Sequence, residues 1–302
     1  MLSEILSWGT TLLYSAFAPV LLVLVVLFFV KKITKKNLWK GIKLAVVVYL
    51  AATFVIPAVT GCGSDAKSSE EQTGADELTS SVTKLGTYTG LSYTDGSGRV
   101  PTDDEVQEEM EAILLWFEDA ELTEDWVKEN LDFDSIDDFR EDTRQNLMAV
   151  YDERAWKASA KELFETVIAD SEFDLSDADL ETVYKRYENT YQQYADMLDL
   201  TLEEYVTQEL GTDMEQFQKD GEDAAEMVLK TKLVADAIAK AENLDYDASY
   251  EEIANQIVAE EGYDSLTDLE EAAGGKEELR DEVTYRMAAQ FMMEQATPVS
   301  ES

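Results

Sequence analysis

The chain has 302 residues, with 65 acidic and 24 basic side chains, no histidine, one cysteine and a formal net charge of −41. The missing histidine excludes a Ser-His-Asp or Cys-His apparatus and the common zinc sites, and a single cysteine excludes an internal disulfide or a multi-thiolate metal centre. So acidic a surface repels nucleic acid, which is held chiefly through Lys and Arg contacts to phosphate, and it keeps a protein soluble.

Two apolar runs come first. Gly9 to Val30 has 22 residues and no charge, which is long enough to span a bilayer as a helix. Leu44 to Thr60 has 17 residues and makes a shorter span at about 1.5 Å per residue. Between them lie Lys31, Lys32, Lys35, Lys36, Lys40 and Lys43. The positive-inside rule places this loop in the cytoplasm and everything after the second run on the other side. The second run ends in Pro57 and then "VTGC", with Cys62 at the seam between apolar and acidic sequence. Val59, Thr60, Gly61 and Cys62, with the lysine flank and the apolar core, resemble the signal peptide and lipobox of bacterial lipoproteins. That resemblance implies that Cys62 is lipidated and becomes the N-terminus. The extra 43 residues upstream depart from it, and no methionine lies between Met1 and Met110. The alternative is an uncleaved two-helix hairpin with Cys62 idle. Both readings tie the remainder to the membrane on its extracytoplasmic face.

Past the cysteine the chain divides by composition. Residues 1–61 are membrane segments and signal. Residues 62–81 read as a disordered acidic tether, too poor in apolar side chains to offset chain entropy. Residues 82–100 alternate Tyr, Thr and Leu between glycines, which predicts an extended linker. From residue 101 to 297 the pattern is helical, and 298–302 are expected to be a disordered tail. Ser/Thr-x-x-Asp/Glu start signals recur at Thr102, Ser135, Ser176, Thr201, Thr212 and Ser249, each able to cap free N–H groups. Gly211, Gly262 and Gly274–Gly275 are stops. The spacing predicts helices over 102–119, 123–130, 135–170, 176–199, 201–209, 212–243, 248–261, 265–273 and 276–296.

Two helices carry candidate binding residues. Leu180, Tyr184, Tyr187, Tyr191, Tyr194 and Leu198 follow a 4-3-4-3-4 spacing, one seam of a helix packed lengthwise on a neighbour. Tyrosine in place of leucine points to a partly wet seam, because each hydroxyl needs a partner. The same stripe could form an adaptable groove for unfolded segments. Met287, Phe291, Met292 and Met293 pose the same choice between core and a pliable binding surface. No glycine-rich phosphate loop, nucleotide fingerprint or EF-hand loop is present, so no cofactor, metal or catalytic residue is expected.

Taken in order, "VPTDDEVQEEMEAIL" (Val100–Leu114), "LTEDWVKENLDFDSIDDFREDTRQNL" (Leu122–Leu147), "SEFDLSDADLETVYKRYENTYQQY" (Ser171–Tyr194), the segment Leu200–Leu244 and the terminal amphipathic helix resemble the C-terminal chaperone domain of trigger factor. The resemblance spans roughly Leu85 to Ala296. It implies an all-α, elongated, SurA-like body with arm-like helical hairpins forming a cradle. It also implies binding of unfolded or exported polypeptides without ATP. The family's ribosome-binding domain is replaced by the membrane segments and tether. Its FKBP-type isomerase domain, inserted between the "TDDEV" helix and the "LTEDW" segment, has only a few residues in its place here. Prolyl isomerase activity is therefore an alternative rather than the leading reading, as is a non-catalytic interaction lipoprotein with one particular partner.

Overall fold

The structure is a computed structural model that describes residues 78–115, 117 and 120–300. Both apolar runs, Cys62 and most of the tether lie outside the described residues. In chain order the elements are β1 (Ser81–Lys84), β2 (Ser92–Asp95), α1 (Asp103–Leu114), α2 (Glu124–Asn130), α3 (Ile136–Ala169), β3 (Glu172–Asp174), α4 (Asp177–Met197) and α5 (Leu202–Gln208). They continue with α6 (Met214–Glu242), α7 (Tyr246–Glu261), α8 (Leu266–Ala273), a 3₁₀ turn (Lys276–Leu279), α9 (Arg280–Gln295) and β4 (Thr297–Ser300). The body is helical, as the sequence pattern predicts, and every predicted helix has a counterpart.

The caps explain most of the helix starts. Thr102 with Glu105 and Thr201 with Glu204 form complete reciprocal capping boxes, each satisfying N–H groups that a helix end leaves free. Ser135 caps α3 by accepting from the Asp138 N–H. Three starts differ in detail. Asp213, not Thr212, caps α6. Asp245 caps α7, so that helix begins before Ser249. Ser176 caps α4 through the Ala178 N–H, and the Asp179 carboxylate turns elsewhere. Gly262 and Gly274 end α7 and α8 in the left-handed conformation, which suits a residue without Cβ.

Three apolar clusters are strung along the long helices. The first half of α3 packs against α1 and α2 around Val106, Met110, Val127, Leu131 and Phe139. Its second half joins α6 and α9 in a central cluster that includes Leu163, Val167, Val234, Ile238 and Met292. A third cluster forms between α7, α8 and the start of α9, around Tyr250, Ile253, Leu269, Val283 and Met287. With 34 residues, α3 is about 50 Å long and takes part in two of the three.

The segment before α1 is bound to the body. Asp179 accepts the Thr79 hydroxyl at 3.1 Å and the Ser80 N–H at 2.6 Å, and Ser80 Oγ accepts the Ser176 N–H. The ordered body therefore begins before residue 82, which shortens the predicted tether at 62–81. β1 then pairs antiparallel with β3. A Cβ on Gly86 would come within 2.6 Å of the Val167 carbonyl, so only glycine lets the chain after β1 lie against the end of α3. Tyr88 donates to Glu242 at 2.7 Å. β2 rests on α3, with Ser159 donating to the Thr94 carbonyl and Glu162 accepting its N–H.

Residues 298–300 of the tail, expected to be disordered, are ordered. Thr297–Ser300 forms β4, parallel to β2, and the Thr297 N–H donates to the Leu91 carbonyl at 2.8 Å. Strand partners 205 residues apart leave no local signal, which is why sequence pattern missed them. Alternation along β4 then turns the Pro298 nitrogen to the outer edge, where a missing N–H costs nothing and discourages further strand pairing.

Candidate functional site: a tyrosine-lined helical hairpin

Helices α4 and α6 form an antiparallel hairpin closed by α5. Near the base, Lys230 of α6 lies over the Phe173 ring at 5.4 Å. Further out, Tyr187 and Tyr191 both meet Phe217, each at 5.2 Å between ring centroids. At 21 residues, α4 carries the hairpin about 32 Å.

The predicted tyrosine stripe is continuous along this seam. Tyr184 stacks on Tyr187 at 6.3 Å, Tyr187 meets Tyr191 at 4.8 Å, and Tyr191 meets Tyr194 edge-on at 6.0 Å. Tyr205 of α5 adds contacts to Tyr191 and Tyr194, both at 6.4 Å. Offset and edge-to-face rings of this kind stabilise beyond the area they bury. Gly221 makes the close approach possible, because a Cβ there would fall 2.7 Å from the Tyr187 ring and 2.8 Å from Tyr184.

Burial is graded along the stripe. Tyr184, Tyr187 and Tyr191 are partly buried, whereas Tyr194 is 44 % exposed and Met197, a turn beyond it, is 56 % exposed. Burial holds the Tyr187 and Tyr191 phenols in their neutral form, with both titrations pushed upward. Tyr205 is pushed up to about 12, chiefly by burial. These phenols keep their protons at neutral pH and pack as neutral rings. Among the described residues no cluster of acidic, histidine or cysteine side chains could hold a metal ion.

The terminal methionine and phenylalanine residues are placed differently from a client-facing groove. Met287 is 6 % exposed within the α7–α8–α9 cluster and Met292 is fully buried in the central one. Phe291 packs against the central cluster beside Tyr88, at 6.3 Å. Helix α9 is covered on several faces, burying Val283, Thr284, Arg286, Met287, Ala288, Ala289 and Met292. A helix enclosed in this way is core. Met287 and Met292 are therefore corrected from candidate binding surface to interior packing, and Phe291 is partly buried against the central cluster.

Sequence reasoning missed Tyr205, Phe217, Gly221 and Met197 as parts of the hairpin. One signal was available: a glycine inside an otherwise strong helical run marks close packing. Nothing local marked Tyr205 as the closing residue. Cys62 lies outside the described residues. No helix among those described is long and apolar enough to cross a membrane.

Residues 135–294 match the family described as bacterial trigger factor protein C-terminus. Among curated proteins, the chain is 24 % identical over 186 residues to the trigger factor of Halothermothrix orenii, covering 59 % of this chain and 42 % of that protein. It is 27 % identical over 177 residues to the trigger factor of Bacillus cytotoxicus and 26 % identical over 177 to that of Bacillus subtilis, in each case covering 58 % of this chain and 41 % of the relative. The chain thus spans about two-fifths of the length of the curated relatives it matches. With the family match running from the start of α3 to the end of α9, the chain belongs to the bacterial trigger factor C-terminus family.

Proposed function

We propose that the chain is a membrane-anchored, extracytoplasmic chaperone that holds unfolded exported polypeptides without ATP. The α4–α6 hairpin and the α1–α3 unit act as the arms of an elongated cradle. The observation that carries this reading is the end of α4, where Tyr194 and Met197 stand in solvent while the tyrosines behind them are packed. An apolar pair backed by packed rings is available to an incoming apolar segment, which it shields from aggregation. The relatives are trigger factors, which supports polypeptides as the partner class. The apolar runs, the lysine loop and Cys62 support an anchor and the outward orientation.

Light scattering tests the chaperone reading. A fragment of residues 78–302, mixed with a chemically unfolded client near equimolar ratio, suppresses aggregation on dilution without ATP. Unchanged scattering across basic and neutral clients would favour a single dedicated partner instead. The anchor is tested separately, by fractionating cells that carry the whole chain. Lipidation predicts a mature form starting at Cys62 in the membrane fraction; a Cys62→Ser form that is processed and partitions identically would exclude it.

A further inference from the structure

Where the end of α7 meets α3 and α9, charges collect in an enclosed place. Arg286 of α9 is 3 % exposed. Its guanidinium pairs with Glu260 of α7 at 2.7 Å and with Glu282 at 2.6 Å, and lies 5.2 Å over the Trp156 ring of α3. On α3, Glu153 pairs with Lys157 one turn later. Arg154 beside them faces Tyr151 and Arg99 as well as Glu153. Glu261 completes the group. It is partly buried and faces Lys157, Glu153, Arg286 and Glu260. Among the described residues no cation reaches it at ion-pair distance, since Arg286 is taken by Glu260 and Glu282 and Lys157 by Glu153.

Four carboxylates from three helices thus face three cations: Arg286, Lys157 and, beside Glu153, Arg154. In a partly buried place such an excess of one sign is screened far less than at a surface. The location matters because α9 serves two apolar clusters. Val283 and Met287 belong with α7 and α8, while Ala288, Ala289 and Met292 belong with the central body. The charged joint lies where these two clusters meet.

We propose that this joint is a proton-operated latch: proton uptake by Glu261 or its neighbour Glu260 tightens the α7–α8 cap on the body. One proton removes one surplus negative charge. When Glu260 takes it, Arg286 keeps Glu282, so no buried cation is left bare. Burial is the main cause that raises both carboxyls above their ordinary value of 4.5; the field of Glu153 adds to it, and Arg286 and Lys157 oppose it. The folded state then binds the proton more tightly than the unfolded chain. The stability this contributes is full below the ordinary value and is lost as pH rises through the raised one. The cap is loosest at neutral pH, where Met287 and Val283 lie beneath it, and tightest in mild acid.

Amide hydrogen exchange on the full chain in non-ionic detergent reads the latch directly. Exchange in α7, corrected for its intrinsic pH dependence, slows severalfold as pH falls from about 7.5 to about 5. Glu261→Gln shows the slow rate at both pH values. Glu203→Gln, an exposed residue of α5, responds like the wild type and so separates the joint from the general loss of negative charge. A wild-type α7 that is indifferent to pH would overturn the latch. So would Glu261→Gln and Glu260→Gln variants that both keep the full wild-type response.

Discussion

The α4–α6 hairpin and the body around α9 are both helices packed lengthwise, yet they are filled in opposite ways. The hairpin is joined by rings that keep partial contact with water, pressed against the bare backbone of Gly221. The body is joined by Val, Ala, Leu and Met side chains that water does not reach. A region with fewer fully buried side chains opens at lower free energy. The hairpin can therefore lose contacts or exchange them with a partner while the body stays folded. The difference shows which apparent binding residues are available and which are interior.

The sharpest break of this contrast falls in the body. Arg286→Met removes the cation that Glu260 and Glu282 share. Leaving these partly buried carboxylates uncompensated costs up to about 3–5 kcal/mol, and calorimetry of the 78–302 fragment should show a fall in melting temperature. The loss has a definite pH sign. The Glu260 carboxyl is already raised by burial, and losing its cation raises it further. The carboxyls are neutralised as pH falls, so the penalty shrinks in mild acid and is largest at neutral pH. A penalty that grew in acid would contradict the ion-pair geometry.

Within the hairpin the effects are smaller and more local. Tyr187→Ser removes a ring that touches Tyr184, Tyr191 and Phe217, at a cost of about 3 kcal/mol by analogy with large-to-small core changes. Hydrogen exchange should report that loss in α4, α5 and the first half of α6, with the central cluster still protected. Gly221→Val tests the same seam from the other side. Its side chain must displace two stacked rings, and overpacking of this kind costs about 1–3 kcal/mol. A Val variant as stable as the wild type would mean that the rings are free to move apart.

Helix positions were legible because caps, periodicity and glycine stops are local. At α6 two candidate caps stood side by side, Thr212 and Asp213, and geometry chose between them. Asp179 shows a deeper limit. Its spacing from Ser176 fits a capping box, but in the fold it receives Ser80 from 99 residues away. The β2–β4 pair and the buried Arg286 depend likewise on partners distant in sequence. The tyrosine stripe was legible as a seam, but its gradation from packed to exposed was not. That gradation is set by where α5 folds back over Tyr191 and Tyr194.

The smallest stability effect carries the most functional weight. Tyr194 and Met197 are exposed, and of the two only Tyr194 meets other rings, Tyr191 and Tyr205, so replacing both with serine should cost about 1 kcal/mol. Under the chaperone reading the same double variant loses most of its ability to suppress client aggregation. Tyr187→Ser is the matched control, because it should lower melting first and affect clients only through hairpin opening. Full protection by the Tyr194/Met197 variant would move the client surface away from the end of α4. Lost protection with little change in melting would place it there, and would show that the packed tyrosines serve to hold the exposed pair in position.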